Sequence, residues 1–161
     1  MILPPNKSIK LVFWIALFES IGFLLSLITK ANIHPWYENL NKSILTPPGF
    51  VFSIVWPSLY CLLGLIAWMM SSHPQNREKY SKELRFGFGL QMLMNWGWTP
   101  LFFQLHWLGV SAIWLLGLTA FSAALMICAL GKQKLLALLL MPYVLWLIFA
   151  SYLNAVIAFI N

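Results

Sequence analysis

Five apolar runs, at about residues 9–29, 49–70, 86–105, 108–130 and 135–160, restrict what this chain can become. At about 1.5 Å of rise per residue, each is long enough to cross roughly 30 Å of hydrocarbon as a helix. Backbone in lipid must satisfy its own hydrogen bonds, and the runs are continuous rather than alternating, so helices are expected and a β-barrel is not. Together they use up most of the 161 residues. Only 9% of the residues are charged and 61% are hydrophobic, whereas about a quarter are charged in a soluble domain. The whole of 1–161 therefore reads as one membrane domain, an all-α integral membrane protein built as a five-helix transmembrane bundle.

The basic residues give an orientation. Alternating sides along the chain puts Lys7, Lys10, Arg77, Lys79, Lys82, Arg85, Lys132 and Lys134 on one face and only Lys30 and Lys42 on the other. The positive-inside rule then places the N-terminus in the cytoplasm and the C-terminus outside, and a bacterial inner membrane fits this bias. The net charge of +6 is read as topology and not as a nucleic-acid footprint. The REKYSKELR segment reads as a solvated cytoplasmic connection, with contact to anionic lipid as a lesser reading. Lys7 and Lys10 before an apolar run resemble the front of a signal peptide. The run is too long for one, and Thr29, Lys30 and Ala31 form no small-x-small cleavage pattern, so a retained span is expected. Cys61 and Cys128 fall inside spans and read as small packing residues. His34 has no Cys, His or carboxylate pair near it in the sequence and makes a poor metal site, so none is expected.

Between the first two spans, residues 30–48 form the longest connection, carrying His34, Pro35, Trp36, Tyr37 and Leu40. That is enough apolar surface for a lid, although Trp36 and Tyr37 also suit an interfacial aromatic belt. Pro47 and Pro48 end the loop and read as a helix start, since Pro is tolerated in a first turn. In the second span Phe52, Trp56, Tyr60 and Gly64 recur every four residues and share a face, with Pro57 predicting a bend. The third span brings Gln91, Asn95, Trp98 and Phe102 to one face, and amides there need partners inside the bundle. The fifth does the same with Tyr143, Trp146, Ala150 and Asn154. Glu19, near the middle of the first span, is open to two readings: a proton relay or ligand anchor, or a neutral carboxyl hydrogen-bonded to a neighbouring helix.

Counted inward from the external surface, Trp56, Trp98 and Asn154 lie at a common depth of roughly 10 Å. Aromatic walls with a few amides suit a flat, largely apolar ligand, although aromatic stripes at helical spacing also occur as plain core. No nucleophile with a base, carboxylate pair or phosphate-binding loop is present, so acid–base or hydrolytic catalysis is not expected and no cofactor is required.

The segments WYENLNKSILTPPGFVFSIVWPSLYCLLG, NWGWTPLFF and PYVLWLIFASYLN, in this order and spacing, resemble the translocator protein or tryptophan-rich sensory protein (TspO/MBR) family. The resemblance covers nearly the whole chain. It implies a five-helix bundle, commonly a homodimer, with a ligand pocket closed by the first loop. It also implies binding of porphyrins such as protoporphyrin IX, of isoquinoline or benzodiazepine-type drugs and, in animal members, of sterols. Trp36 and Tyr37 match the family's loop aromatics, Trp56 and Tyr60 those of the second helix, Asn95 and Trp98 the third-helix motif, and Trp146 with Ala150 the fifth-helix wall. Phe102 joins this ligand set from the residue pattern.

Two departures stand out. Residues 42–46 read KSILT where many members have a Lys-Pro pair, and the C-terminal sterol pattern of animal members is absent, which points to a bacterial-type member. The resemblance implies a receptor or sensor, with two alternatives: a tetrapyrrole transporter, or an enzyme degrading porphyrin photo-oxidatively with Trp56 and Trp146 as electron donors. Five spans without a visible repeat argue against an alternating-access carrier.

Overall fold

The computed structural model describes residues 5–71, 80–131 and 133–161. Five long helices follow in order: α1 (Pro5–Ala31), α2 (Gly49–Ser71), α3 (Lys82–Thr99), α4 (Leu108–Leu130) and α5 (Lys134–Ile160), with no strand among the described residues. Four of them, α1 from Ser8 onward, α2, α4 and α5, are long and apolar enough to cross a membrane. The α3 helix is more polar because Lys82, Glu83 and Arg85 fill its first turn and Gln91 and Asn95 lie within it.

Local chemistry sets the ends of these helices. The helix α2 begins at Gly49, directly after the Pro pair, with Val51 N–H donating to the Pro48 carbonyl at 3.0 Å. Ser81 caps α3 by accepting from Leu84 N–H at 3.2 Å. At the other end of α3, Pro100 cannot donate and the chain widens into a π-type turn over Pro100–Gln104. The α1 helix starts earlier than the apolar run it contains, because a helix can leave the hydrocarbon and continue through Lys7 and Lys10. His73, Pro74, Gln75, Asn76, Arg77, Lys79 and Lys132 lie outside the described residues.

Packing closes the helices into a ring: α1 lies on α2, α2 on α5, α5 most extensively on α4, α4 on α3, and α3 back on α1. Inside the ring are Phe18, Leu63, Ile66, Leu118, Leu140 and Leu147. Two glycines allow the closest approaches. A Cβ on Gly64 would lie 2.9 Å from Ile15 Cα, so the backbones of α1 and α2 touch there, and a Cβ on Gly22 would strike the Tyr60 ring. Outward, apolar side chains such as Val12, Phe13, Leu24, Ile113 and Leu145 are exposed, as a lipid-facing surface requires.

The two cysteines depart from the sequence expectation. Cys61 and Cys128 are exposed on the outer surface and do not fill the core. Cys61 Sγ instead donates to Glu19 Oε1 at 3.3 Å, linking α2 to α1 and giving the mid-span carboxyl a partner on a neighbouring helix.

Candidate functional site

Three buried amides organise the inside of the ring. Asn95, 3% exposed, accepts from Tyr60 Oη at 3.1 Å and donates through Nδ2 to Tyr143 Oη at 3.1 Å, tying α2, α3 and α5 together. Gln91, fully buried one turn away, accepts from Ser122 Oγ at 3.2 Å. Asn154 accepts from Trp98 Nε1 at 2.8 Å and donates to Ser111 Oγ at 3.3 Å. The shared depth of Trp98 and Asn154 read from the sequence is thus realised as a hydrogen bond.

Around these amides the aromatic residues form two groups. The first is a wall between α2 and α5: Trp56 meets Trp146 edge-on with ring centroids 6.5 Å apart, Trp56 leans on Tyr60 at 5.8 Å, and Phe52 meets Trp146 at 5.6 Å. Both indoles are half-buried, and Trp146 Nε1 is buried without a hydrogen-bond partner among the described residues. Ala150, one turn outward from Trp146 on α5, is half-buried against the core.

The second group is a cap. Trp98 stacks on Phe102 at 5.3 Å, and Trp36 comes down from the loop to meet Phe102 edge-on at 5.5 Å. Tyr37 leans on Phe102 and Phe103, at 6.2 and 5.6 Å. Trp98 also packs against the main core, on which Trp56 and Trp146 lie, so both groups border the same core.

The loop itself is fastened at several points. Trp36 stacks on His106 at 3.9 Å, and His106 Nε2 lies 3.2 Å from Asn32 Oδ1. Lys42 Nζ donates to the carbonyls of Tyr37, Glu38 and Leu40 at 2.7, 3.0 and 2.7 Å, closing the turn after the aromatic pair. Asn41 N–H donates to Asn161 Oδ1 at 2.8 Å while Asn161 Nδ2 donates back to the Asn41 carbonyl at 3.0 Å. His34 Nδ1 and Glu38 pair at 2.6 Å on the exposed side. Burial pushes the Tyr37 phenol above its ordinary value. Trp36 and Tyr37 are therefore packed onto the bundle end, and the loop is a cap over α1, α3 and α5.

A family model described as TspO/MBR family matches residues 14–160. The chain belongs to the TspO/MBR family. Among relatives, it is 32% identical to "Tryptophan-rich protein TspO" of Archaeoglobus fulgidus over 95% of this chain and 97% of that one. Against "Translocator protein" of Bos taurus the identity is 32% over 83% of this chain and 79% of the other. Against "Tryptophan-rich sensory protein" of Cereibacter sphaeroides it is 32% over 74% and 72%.

In this TspO/MBR chain the residues singled out from the sequence fall into one connected aromatic region: Trp56, Tyr60, Asn95 and Trp146 on one side, and Trp36, Tyr37, Trp98 and Phe102 on the other. Within the wall and within the cap the rings meet one another. Cavities of about 620 and about 400 Å³ lie elsewhere, the larger between α1, α2 and α3 and the smaller beside Glu19. Sequence reasoning did not include His106, Phe103 and Asn161 in the site. Phe103 follows Phe102 directly, but His106 and Asn161 lie at or beyond helix ends, where no periodicity signals a face. His106 also has φ 56, a left-handed turn that aims its ring at the loop.

Proposed function

We propose that this protein is a membrane receptor or sensor. Its ligand would be a flat, largely apolar molecule, a tetrapyrrole such as protoporphyrin IX or an isoquinoline- or benzodiazepine-type compound, held between the Trp56–Trp146 wall and the Trp36–Trp98 cap. The observation that carries this reading is the indole pair itself: two Trp side chains from different helices meet edge-on, and the Nε1–H of Trp146 has no partner among the described residues. A planar π system with an acceptor at its rim would stack on such a wall and use that donor. The names sensory protein and translocator protein among relatives support a small-molecule role.

The test is saturable quenching of tryptophan fluorescence by protoporphyrin IX in detergent. Loss of one stacking partner, worth about 1 kcal/mol, gives an expected five- to tenfold weakening in Trp56→Ala and in Trp146→Ala. Wild-type affinity in both variants would refute the site. The same wall favours a second reading, photo-oxidation of bound porphyrin with Trp56 and Trp146 as electron donors. Equal porphyrin loss under light in Trp56→Phe/Trp146→Phe would remove it.

Several wider readings belong to this proposal. The α3 helix with its π turn is taken as the fifth span, since Phe86 to Gln104 covers about 28 Å by helix rise, close to the hydrocarbon thickness. The N-terminus is placed in the cytoplasm, the C-terminus and the cap outside, the membrane as a bacterial inner membrane, and the assembly as a homodimer.

A further inference from the structure

The cavity of about 620 Å³ lies away from the aromatic region just described, and neither the proposed receptor function nor its ligand uses it. It is an outward-opening groove between α1, α2 and α3, with Trp14 and Phe18 on one wall, Leu93 and Trp96 on the other, and Arg85 at one end. Its lining is apolar apart from Arg85 and Ser71 and the ring nitrogens of Trp14 and Trp96. Arg85 is half-buried, and its Nε is shut off from solvent without a hydrogen-bond partner among the described residues. Lys82 stands one turn earlier on α3, next to the exposed Glu83, whose carboxyl is held low chiefly by hydrogen bonds from its own backbone and Ser81 and, to a smaller degree, by these two cations.

Length and charge together define an occupant. From Arg85 to Trp96 along α3 is about 16 Å by helix rise, half of the roughly 30 Å hydrocarbon layer, so the groove is one leaflet deep. A guanidinium at its interfacial end offers several N–H donors to a phosphate, and anionic headgroups gather at basic residues beside membrane helices. We propose that the groove is a specific site for one anionic phospholipid, its phosphate on Arg85 and one acyl chain lying along α3 between Trp14 and Trp96. The charge match holds whichever leaflet this end faces. A free phosphate would use Arg85 but leave the apolar groove uncovered, and a second copy of the chain would cover the groove without supplying an anion to Arg85.

Trp14 and Trp96 provide the readout, because bromine on an acyl chain quenches an indole that it touches. The full chain is placed in mixed micelles with brominated phosphatidylglycerol or brominated phosphatidylcholine, and the quenching assigned to the groove is the part lost in Trp14→Phe/Trp96→Phe. The expected result is an apparent affinity for phosphatidylglycerol about three- to tenfold above that for phosphatidylcholine. This preference should fall to near unity in Arg85→Gln and be partly kept in Arg85→Lys.

A second variant tests the groove independently of the charge. Gly89 lines it, and a Cβ there meets nothing within 4 Å, so the Gly89→Leu side chain starts into open space and occupies the groove. It should reduce groove quenching by both lipids at least threefold. Equal quenching by the two lipids in the wild type, an unchanged preference in Arg85→Gln, or no groove quenching by either lipid would each overturn the proposal. The last of these is the result expected if a second copy occupies the groove.

Discussion

Asn95 is where the arrangement can be tested most severely. It accepts from Tyr60 Oη and donates to Tyr143 Oη, each at 3.1 Å, with Tyr60 6% and Tyr143 0% exposed. Asn95→Leu keeps the branched shape of the side chain, with bulkier methyls in place of the amide, but leaves two buried hydroxyls that have each lost a partner. An orphaned buried polar group costs about 1–3 kcal/mol, and interhelical hydrogen bonds in membranes fall toward the low end, about 0.6–1.7 kcal/mol each. Asn95→Leu should therefore destabilise the protein by about 2–3 kcal/mol. The triple variant Tyr60→Phe/Asn95→Leu/Tyr143→Phe removes all three groups joined by these two bonds, while Ser122, which also bonds Tyr143, keeps Gln91 as a partner; it should recover more than half of that loss, because replacing both partners of a bond by apolar groups is nearly neutral. Unfolding by sodium dodecyl sulfate from dodecyl maltoside micelles, followed by far-UV circular dichroism, gives the comparison. An Asn95→Leu protein within about 0.5 kcal/mol of wild type, or a triple variant no more stable than the single one, would show that the amide is not the tie between α2, α3 and α5.

Three further outcomes are expected. Gly64→Ala puts a Cβ 2.9 Å from the α1 backbone and should cost about 1–3 kcal/mol, whereas Gly117→Ala, with nothing within 4 Å, should be neutral or stabilising by up to about 1 kcal/mol; equal effects in the same unfolding assay would refute the α1–α2 contact. Asn161→Ala removes both bonds to Asn41 and should loosen the cap by about 1–2 kcal/mol, read as about five- to thirtyfold faster hydrogen exchange at the backbone of residues 33–41; unchanged exchange would contradict the fastening. Because the buried Tyr37 phenol holds its proton more firmly when the cap is seated, its packing contributes fully below about pH 10 and is lost as pH rises past that value; an alkaline rise in exchange of the cap that persists unchanged in Tyr37→Phe would reject this.

Four of the helices were legible as long apolar runs, and α4 begins and ends at the residues the sequence suggests. Much of the interior could also be read from spacing. Tyr60, Asn95 and Tyr143 sit on faces that periodicity assigns to the inside; Trp98 and Asn154 were read at one depth, but the bond between them was not. What could not be read are contacts made at helix ends and on the outer surface. The stack of Trp36 on His106 joins two connections with no repeating pattern, and the Glu19–Cys61 bond lies on a lipid-facing seam that hydrophobicity counts as uniform. The rings of the Trp56–Trp146 wall touch because side-chain rotamers close the space between them, and helix faces do not specify rotamers.

The fastening of Asn41 by Asn161 joins positions 120 residues apart. During synthesis the first connection therefore emerges and waits, unanchored on that side, until the final helix has entered the bilayer. The cap is seated only after the walls beneath it are made, so an assembly fault in α5 should leave the first connection unfastened on that side.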